Sequence, residues 1–311
     1  MQNLFTNINK LIDFLKLDKK NEKLILKQPT FPLLLPFNLA KKIQKNDIND
    51  PIFKQFVPTV NELKNNNKYS LDPLCEDKFS KNKLIKKYNK RALLLCSSTC
   101  AMHCRFCFRR HTKNTIDRDF DEEIKIIKDD ETLNEIILSG GDPLSLSNID
   151  LKNLLEKLDS ISHLKRIRFH TRYIIGFPER IDSEFIEILK KINKQIIFVF
   201  HINHPNEIDD EVISSINKLK QNNFLLFNQN VLLKGINDDP NVLEKLYELL
   251  IGLNIAPYYL FQLDKVKGAK HFEVSRNQGK ALIKTLKENL SGYLCPKYVR
   301  EIPFEKNKSS I

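Results

Sequence analysis

The sequence predicts an α/β fold: an incomplete (βα)6 parallel barrel over residues 86–290, preceded by a helical or irregular extension over 1–85 and followed by a tail over 291–311. Two observations carry that expectation. From Arg91 onward, apolar runs of strand length alternate with stretches of helical periodicity, the pattern of a parallel sheet wrapped by helices. Each run is also followed by an unusual polar cluster, as expected where the loops at the C-terminal edge of a barrel converge on one mouth.

Residues 1–85 are polar and interrupted, with lysine- and asparagine-rich runs and prolines at Pro29, Pro32, Pro36, Pro51 and Pro58. A few short helices and no chemistry are expected there. The predicted strands are 92–95, 135–138, 166–170, 195–201, 224–228 and 258–263. Between them, Leu151, Leu154, Leu155 and Leu158 share one helical face, as do Val242, Leu243, Leu246, Leu249 and Leu250. The cysteines from Cys100 to Cys107 follow strand one. Ser139, Gly140, Gly141 and Asp142 follow strand two, and His170 to Arg172 end strand three. His201 to His204, Asn228 to Asn230 and Gln262 to Asp264 end the last three. Six such units make an incomplete relative of the eight-unit barrel.

With 41% hydrophobic and 29% charged residues the chain reads as soluble and globular. No stretch approaches the ~20 apolar residues of a membrane span, and the first twenty residues show no charged start followed by an apolar run. A cytoplasmic protein without a membrane partner is expected. The formal charge of +12, from 51 Lys+Arg against 39 Asp+Glu, would suit nucleic acid. The lysines are spread along the whole chain instead of forming one stripe, so a nucleic-acid partner is not expected.

Of six cysteines, Cys96, Cys100, Cys104 and Cys107 fall within twelve positions. In a reducing compartment such a group points to metal or catalysis. The spacing of Cys100, Cys104 and Cys107 is C-x3-C-x2-C. Three thiolates on one short loop can hold three irons of a 4Fe–4S cube and leave the fourth open to an exogenous ligand. Zinc is the competing reading, with His111 completing a C-x3-C-x2-C-x3-H string, and would imply a binding module without catalysis. Cys96, Cys75 and Cys295 are read as buried strand residues, since a free thiol packs as a small hydrophobe.

The cysteine spacing after a first strand, with Ser139-Gly-Gly-Asp-Pro143 after the second, resembles the radical S-adenosylmethionine superfamily. The strings from Lys87 to Arg91, Phe108 to His111, His201 to Glu207, Asn228 to Leu233, Leu263 to Gly268 and Ser291 to Leu294 resemble lysine 2,3-aminomutases. The likeness is to the type that supplies β-lysine for modifying elongation factor P. The resemblance implies an isomerase with three cofactors: a 4Fe–4S cluster on Cys100, Cys104 and Cys107, S-adenosylmethionine and pyridoxal 5′-phosphate. S-adenosylmethionine would contact Ser139, Gly140, Gly141, Asp142, His201 and Gln229, the glycines leaving room for its methionine amino group. Pyridoxal phosphate would be held by Lys87, Tyr88 and Arg91 and attached to Lys308, the catalytic lysine. Arg109 would take the carboxylate of substrate lysine, and Asp264 and Glu301 its ε-ammonium. An electron donor such as flavodoxin or ferredoxin is implied as a partner. A second radical enzyme type, acting on RNA or another amino acid, remains an alternative.

Overall fold

The computed structural model describes residues 4–64, 66–112 and 115–311. Its frame is six strand–helix units in chain order. The strands are β1 (Arg91–Ser97), β2 (Glu135–Gly140), β3 (Arg166–Thr171), β4 (Gln195–Phe200), β5 (Leu225–Leu232) and β6 (Ile255–Gln262). The helices that follow them are α1 (Asp121–Asp129), α2 (Asn148–Asp159), α3 (Ser183–Lys190), α4 (Asp210–Gln221), α5 (Pro240–Gly252) and α6 (Arg276–Asn289). Each strand pairs in parallel with the next. The row ends in β7 (Lys297–Arg300), parallel to β6, and β8 (Ser309–Ser310), antiparallel to β7. On the other flank an antiparallel edge is formed by Leu84–Tyr88 and Ser80–Lys81. No pairing joins the two edges among the described residues, so the barrel is open.

Local chemistry explains the units. The strands are apolar on both faces where helices cover them, as in the wholly buried Ile196–Phe200 stretch of β4. Phe198 stacks on Phe169 of β3 at 4.9 Å and meets Phe185 of α3 edge-on. Helices α2 to α6 start at side-chain caps that satisfy their first amide groups: Ser147, Asp182, Asp209 and Asp239, and Ser275 with Gln278 as a reciprocal pair. Strand β5 ends four residues later than its apolar run suggests, so Asn228, Gln229 and Asn230 lie inside the strand instead of ending it.

Segments from both sides of the six units pack onto them. Helices at Ile8–Leu15 and Pro51–Phe56 bury Leu11, Leu15, Phe53 and Phe56 in the same core as the barrel helices. The tail adds β7, a seventh parallel strand that the sequence pattern did not reveal. Glu62 ties the extension to the loop after β1. Its carboxylate takes Nε and Nη2 of Arg105 at 2.7 and 2.8 Å and a further bond from Arg110. All three side chains are almost dry. Removing one partner of a buried ion pair leaves unpaired charge at a cost of about 3–5 kcal/mol. Glu62→Ala is therefore expected to lower unfolding stability by about that amount in urea titrations. An unchanged midpoint would show that Glu62 does not anchor this loop.

Candidate active site

The loop after β1 is held so that its cysteines face inward. Arg105 is buried on Glu62, and Phe106 packs in a small cluster with Phe272, Leu233 and Val266. With those side chains anchored, Cys104 and Cys107 line the central cavity, and the Cys107 amide donates to the Cys104 carbonyl at 3.0 Å. Cys100 is half-buried beside them. Burial raises the pKa of all three thiols, that of Cys107 to about 11. Thiols in so dry a place become thiolates only against cations, which the irons of a cluster supply. A lone zinc ion fits less well. His111 Nε2 lies 2.9 Å from the Lys267 carbonyl oxygen, away from the sulfurs. Among the described residues no three His, Cys, Asp or Glu side chains converge on a single-ion position. Cys96 is buried in β1 as expected, whereas Cys75 and Cys295 are half-buried in turns, not strands.

The end of β2 docks onto the start of this loop. The Gly141 amide donates to the Ser97 carbonyl at 2.6 Å and the Asp142 amide to that of Thr99 at 2.9 Å. A Cβ on Gly140, whose φ is +111°, would stand 2.4 Å from the Ser97 oxygen. One on Gly141 would stand 2.2 Å from the Thr99 oxygen. Glycine is thus required here first for backbone against backbone, a tighter reason than room for a ligand. The Asp142 carboxylate lines the cavity but is engaged by the Thr171 hydroxyl at 2.8 Å and by the amides of Arg172 at 2.7 Å and Leu144 at 3.0 Å. It clamps β2 to β3.

Period-two alternation sends Ser139 of β2, Arg168 and His170 of β3, Gln229 of β5 and Tyr259 and Phe261 of β6 into the cavity. Asn228 and Asn230 turn the other way, to the Ile202 backbone and the Tyr247 hydroxyl. Gln229 Nε2 sits 3.5 Å from His170 Nδ1. Burial and nearby cations push His170 and His201 well below the usual histidine range, so both are neutral. Their Nε2 atoms are buried without a hydrogen-bond partner among the described residues. Such orphaned polar atoms suit a polar ligand in this space.

Across the cavity, Lys308 immediately precedes the short strand β8, which pairs Ser309 with Arg300. Phe304 takes a left-handed φ of 67° to make that return. Lys308 Nζ lies 3.2 Å from Glu301 Oε2 and 4.9, 5.6 and 5.8 Å from the rings of Tyr88, Phe261 and Tyr259. Lys87 Nζ is 2.6 Å from the other Glu301 oxygen, which the Tyr88 hydroxyl also reaches. The Arg91 guanidinium covers the Tyr88 ring at 4.6 Å. Two lysines, an arginine and a phenol around an amine-bearing wall fit an anionic, aromatic phosphate cofactor.

Burial would raise the pKa of Glu301, but Lys308, Lys87 and Tyr88 hold it below the ordinary carboxylate range. Asp264 is different. Its carboxylate has no hydrogen-bond partner among the described residues, and burial together with the charge of Glu301 lifts its pKa to about 7. Arg109 Nε and Nη2 grip the Glu76 carboxylate at 2.7 and 2.6 Å, while Nη1 reaches Ser139 Oγ and the Gly140 carbonyl at 3.3 Å. The bidentate face expected for a substrate carboxylate is thus filled by Glu76. The extension, expected to carry no chemistry, supplies Glu76 and Phe79 to the cavity wall. Leu74-Cys-Glu76 has no pattern that marks it. Arg168 and Tyr259 were also missed, and only strand alternation in the right register would have found them.

Residues 94–246 match the model of the radical SAM superfamily. The chain is 41% identical to the L-lysine 2,3-aminomutase of Buchnera aphidicola, over all of this chain and 94% of that protein. It is 35% identical to that of Escherichia coli, over all of this chain and 93% of that protein. The Clostridium subterminale enzyme is 32% identical, over all of this chain and 76% of that protein. The chain belongs to the L-lysine 2,3-aminomutase family. Among solved structures, a radical SAM methyltransferase from Sphaerobacter thermophilus shares the fold, with a TM-score of 0.50 at 18% identity over 70% of this chain and 68% of that one. The cofactors of a lysine 2,3-aminomutase are a 4Fe–4S cluster, S-adenosylmethionine and pyridoxal 5′-phosphate, and the cavity offers donors suited to each.

Gly141→Ala should force the β2 end away from Thr99 and spread the cysteine loop. The expected result is a fold still visible by circular dichroism but iron and sulfide content reduced several-fold after anaerobic reconstitution. Full cluster content would refute the docking role of Gly141.

Proposed function

We propose that this isomerase moves the α-amino group of L-lysine to C3, giving β-lysine, within the single cavity that joins the cysteine loop to the Lys308 wall. That juxtaposition carries the reading: Cys104 and Cys107 line the same space as Lys308, Glu301 and Asp264. Taking hydrogen from an unactivated carbon is beyond any side-chain acid or base. The cluster and S-adenosylmethionine supply a radical for it, and pyridoxal phosphate supplies the conjugated system that lets nitrogen migrate. Cys100, Cys104 and Cys107 hold the iron. The neutral rings of His170 and His201, with Gln229 and Ser139, bind and orient the sulfonium donor. Lys87, Tyr88 and Arg91 seat the cofactor phosphate, and Lys308 attaches the cofactor. With Lys308 engaged by the cofactor, Glu301 Oε2 would be free of its ion pair, and that oxygen together with Asp264 would receive the ε-ammonium of substrate. Arg109 takes the substrate carboxylate in exchange for Glu76. Tyr259, Phe261 and Phe106 exclude water from the reacting centre.

The likeness of the strings at Lys87–Arg91 and Phe108–His111 to the elongation factor P type favours that factor's modification as the destination of the β-lysine. A flavodoxin or ferredoxin is the electron donor. The compartment is the cytoplasm, where the thiols stay reduced; no helix among the described residues is long and apolar enough to cross a membrane. The test is anaerobic turnover of L-lysine with a chemical reductant, followed by product analysis. β-Lysine and deoxyadenosine are expected, and Lys308→Ala should lose both β-lysine formation and the visible absorbance of bound pyridoxal phosphate. Turnover that leaves lysine intact, or an unchanged absorbance band in Lys308→Ala, would overturn the assignment.

The pH profile offers an independent check. Asp264 is charged only above its pKa of about 7, and only the charged form attracts the ε-ammonium. Accordingly, kcat/KM for lysine should fall as pH drops through that value, and Asp264→Asn should erase this limb while lowering kcat/KM at least tenfold. A flat wild-type profile between pH 6 and 8 would remove Asp264 from substrate binding.

A further inference from the structure

Behind the cysteine loop lies a buried polar group that the proposed reaction has not used. Arg172, at the end of β3, is 6% exposed. Its Nη1 donates to Cys104 Sγ at 3.0 Å. Its Nη2 donates to Gln55 Oε1 at 2.6 Å and to Glu207 Oε2 at 2.9 Å. The guanidinium is stacked over Phe56 at 4.7 Å and Phe106 at 5.5 Å, and its backbone amide is clamped by Asp142. Glu207 and Gln55 have no exposure at all. Gln55 Nε2 donates to Glu207 Oε1 at 2.9 Å, and Asn203 Nδ2 donates to Gln55 Oε1 at 2.9 Å. The arginine therefore has one orientation, with one amino group on a cysteine sulfur and its counter-anion on the far side.

We infer that Arg172 is a positioning residue that fixes a positive charge against Cys104 and thereby raises the reduction potential of the cluster that Cys104 ligates. The inference rests on the reading of Cys100, Cys104 and Cys107 as iron ligands. Reduction adds one electron to the cluster and breaks no protein bond. A hydrogen bond to a ligand sulfur and a fixed cation beside it both favour the state with the extra negative charge. Burial strengthens the effect: charges a few ångströms apart interact several-fold more strongly in a protein interior than in water. Glu207 offsets part of that field from the opposite side of the guanidinium. The extension takes part through Gln55, which fastens Arg172 and Glu207 together. A purely structural arginine would need its carboxylate partner but not a sulfur.

The two charges make opposite predictions, which a merely structural role would not. In anaerobically reconstituted full-length protein, the midpoint potential is read by redox titration followed by electron paramagnetic resonance. Arg172→Gln should make the cluster at least tenfold harder to reduce, a downward shift of about 59 mV for one electron. Arg172→Lys, which keeps the charge, should recover part of that loss. Glu207→Gln removes the counter-anion while keeping a side chain that can still accept from Gln55, and should shift the potential upward. If the Arg172 variants hold no cluster, Glu207→Gln decides alone: an upward shift supports the inference, and an unchanged or lower potential overturns it. Potentials within error of the parent protein in every cluster-containing variant would also overturn it. Failure of the parent protein itself to take up iron would instead strike the ligand assignment on which the inference rests.

Discussion

The site depends on one buried ion pair shared three ways. Glu62 comes from a region of the chain with little regular structure, yet it receives Arg105 from inside the cysteine loop and Arg110 from just beyond it. Burial of Ala101, Met102 and Phe106 draws the loop inward. Two guanidiniums on one dry carboxylate fix its orientation, because any other arrangement would leave buried charge uncompensated. With Arg105 turned outward to Glu62, Cys104 and Cys107 are left to face the cavity. The glycines at the end of β2 complete the arrangement by letting two backbones approach to hydrogen-bonding distance.

The cavity built around that loop has two electrostatic halves. Near the cysteines, the guanidiniums of Arg109 and Arg172 stand against the sulfurs and the glycine turn, and the histidines are neutral because they are dry. Toward the tail, Glu301 gathers Lys87, Tyr88 and Lys308, while Asp264 is left with a pKa near neutrality. Substrate lysine, anionic at one end and cationic at the other, matches this polarity. In the proposed binding mode, its length is measured between Arg109 and the paired carboxylates Asp264 and Glu301.

Both chain ends serve the opening of the barrel. The six units stop short of closure, so their outer strands β1 and β6 remain available for pairing. An uncovered edge is a liability, and here β7 and β8 cover one side while Leu84–Tyr88 and Ser80–Lys81 cover the other. The same segments deliver Glu301, Lys308, Lys87 and Tyr88. Edge protection and the cofactor seat proposed above thus come from the same segments. Lys308, the proposed cofactor lysine, is placed by its neighbours: the two-residue pairing of Ser309 and Ser310 with β7 fixes its register.

By itself, the sequence determined the repeating strand–helix frame, the cysteine spacing and the family, because periodicity and closely spaced ligands are local properties of a chain. Asp264, Glu301 and Lys308 were nameable through family resemblance, although nothing in their neighbours' chemistry singles them out. Tertiary structure alone decided what depends on contacts across long separations. It placed Glu76 on Arg109, Glu62 on Arg105, and Gln55 and Glu207 behind Arg172. It assigned Asn228 and Asn230 to the outer face of β5 and Gln229 to the inner one, a choice set by strand register. A buried charge must find its partner wherever the fold provides one, and no local pattern records that partner's position.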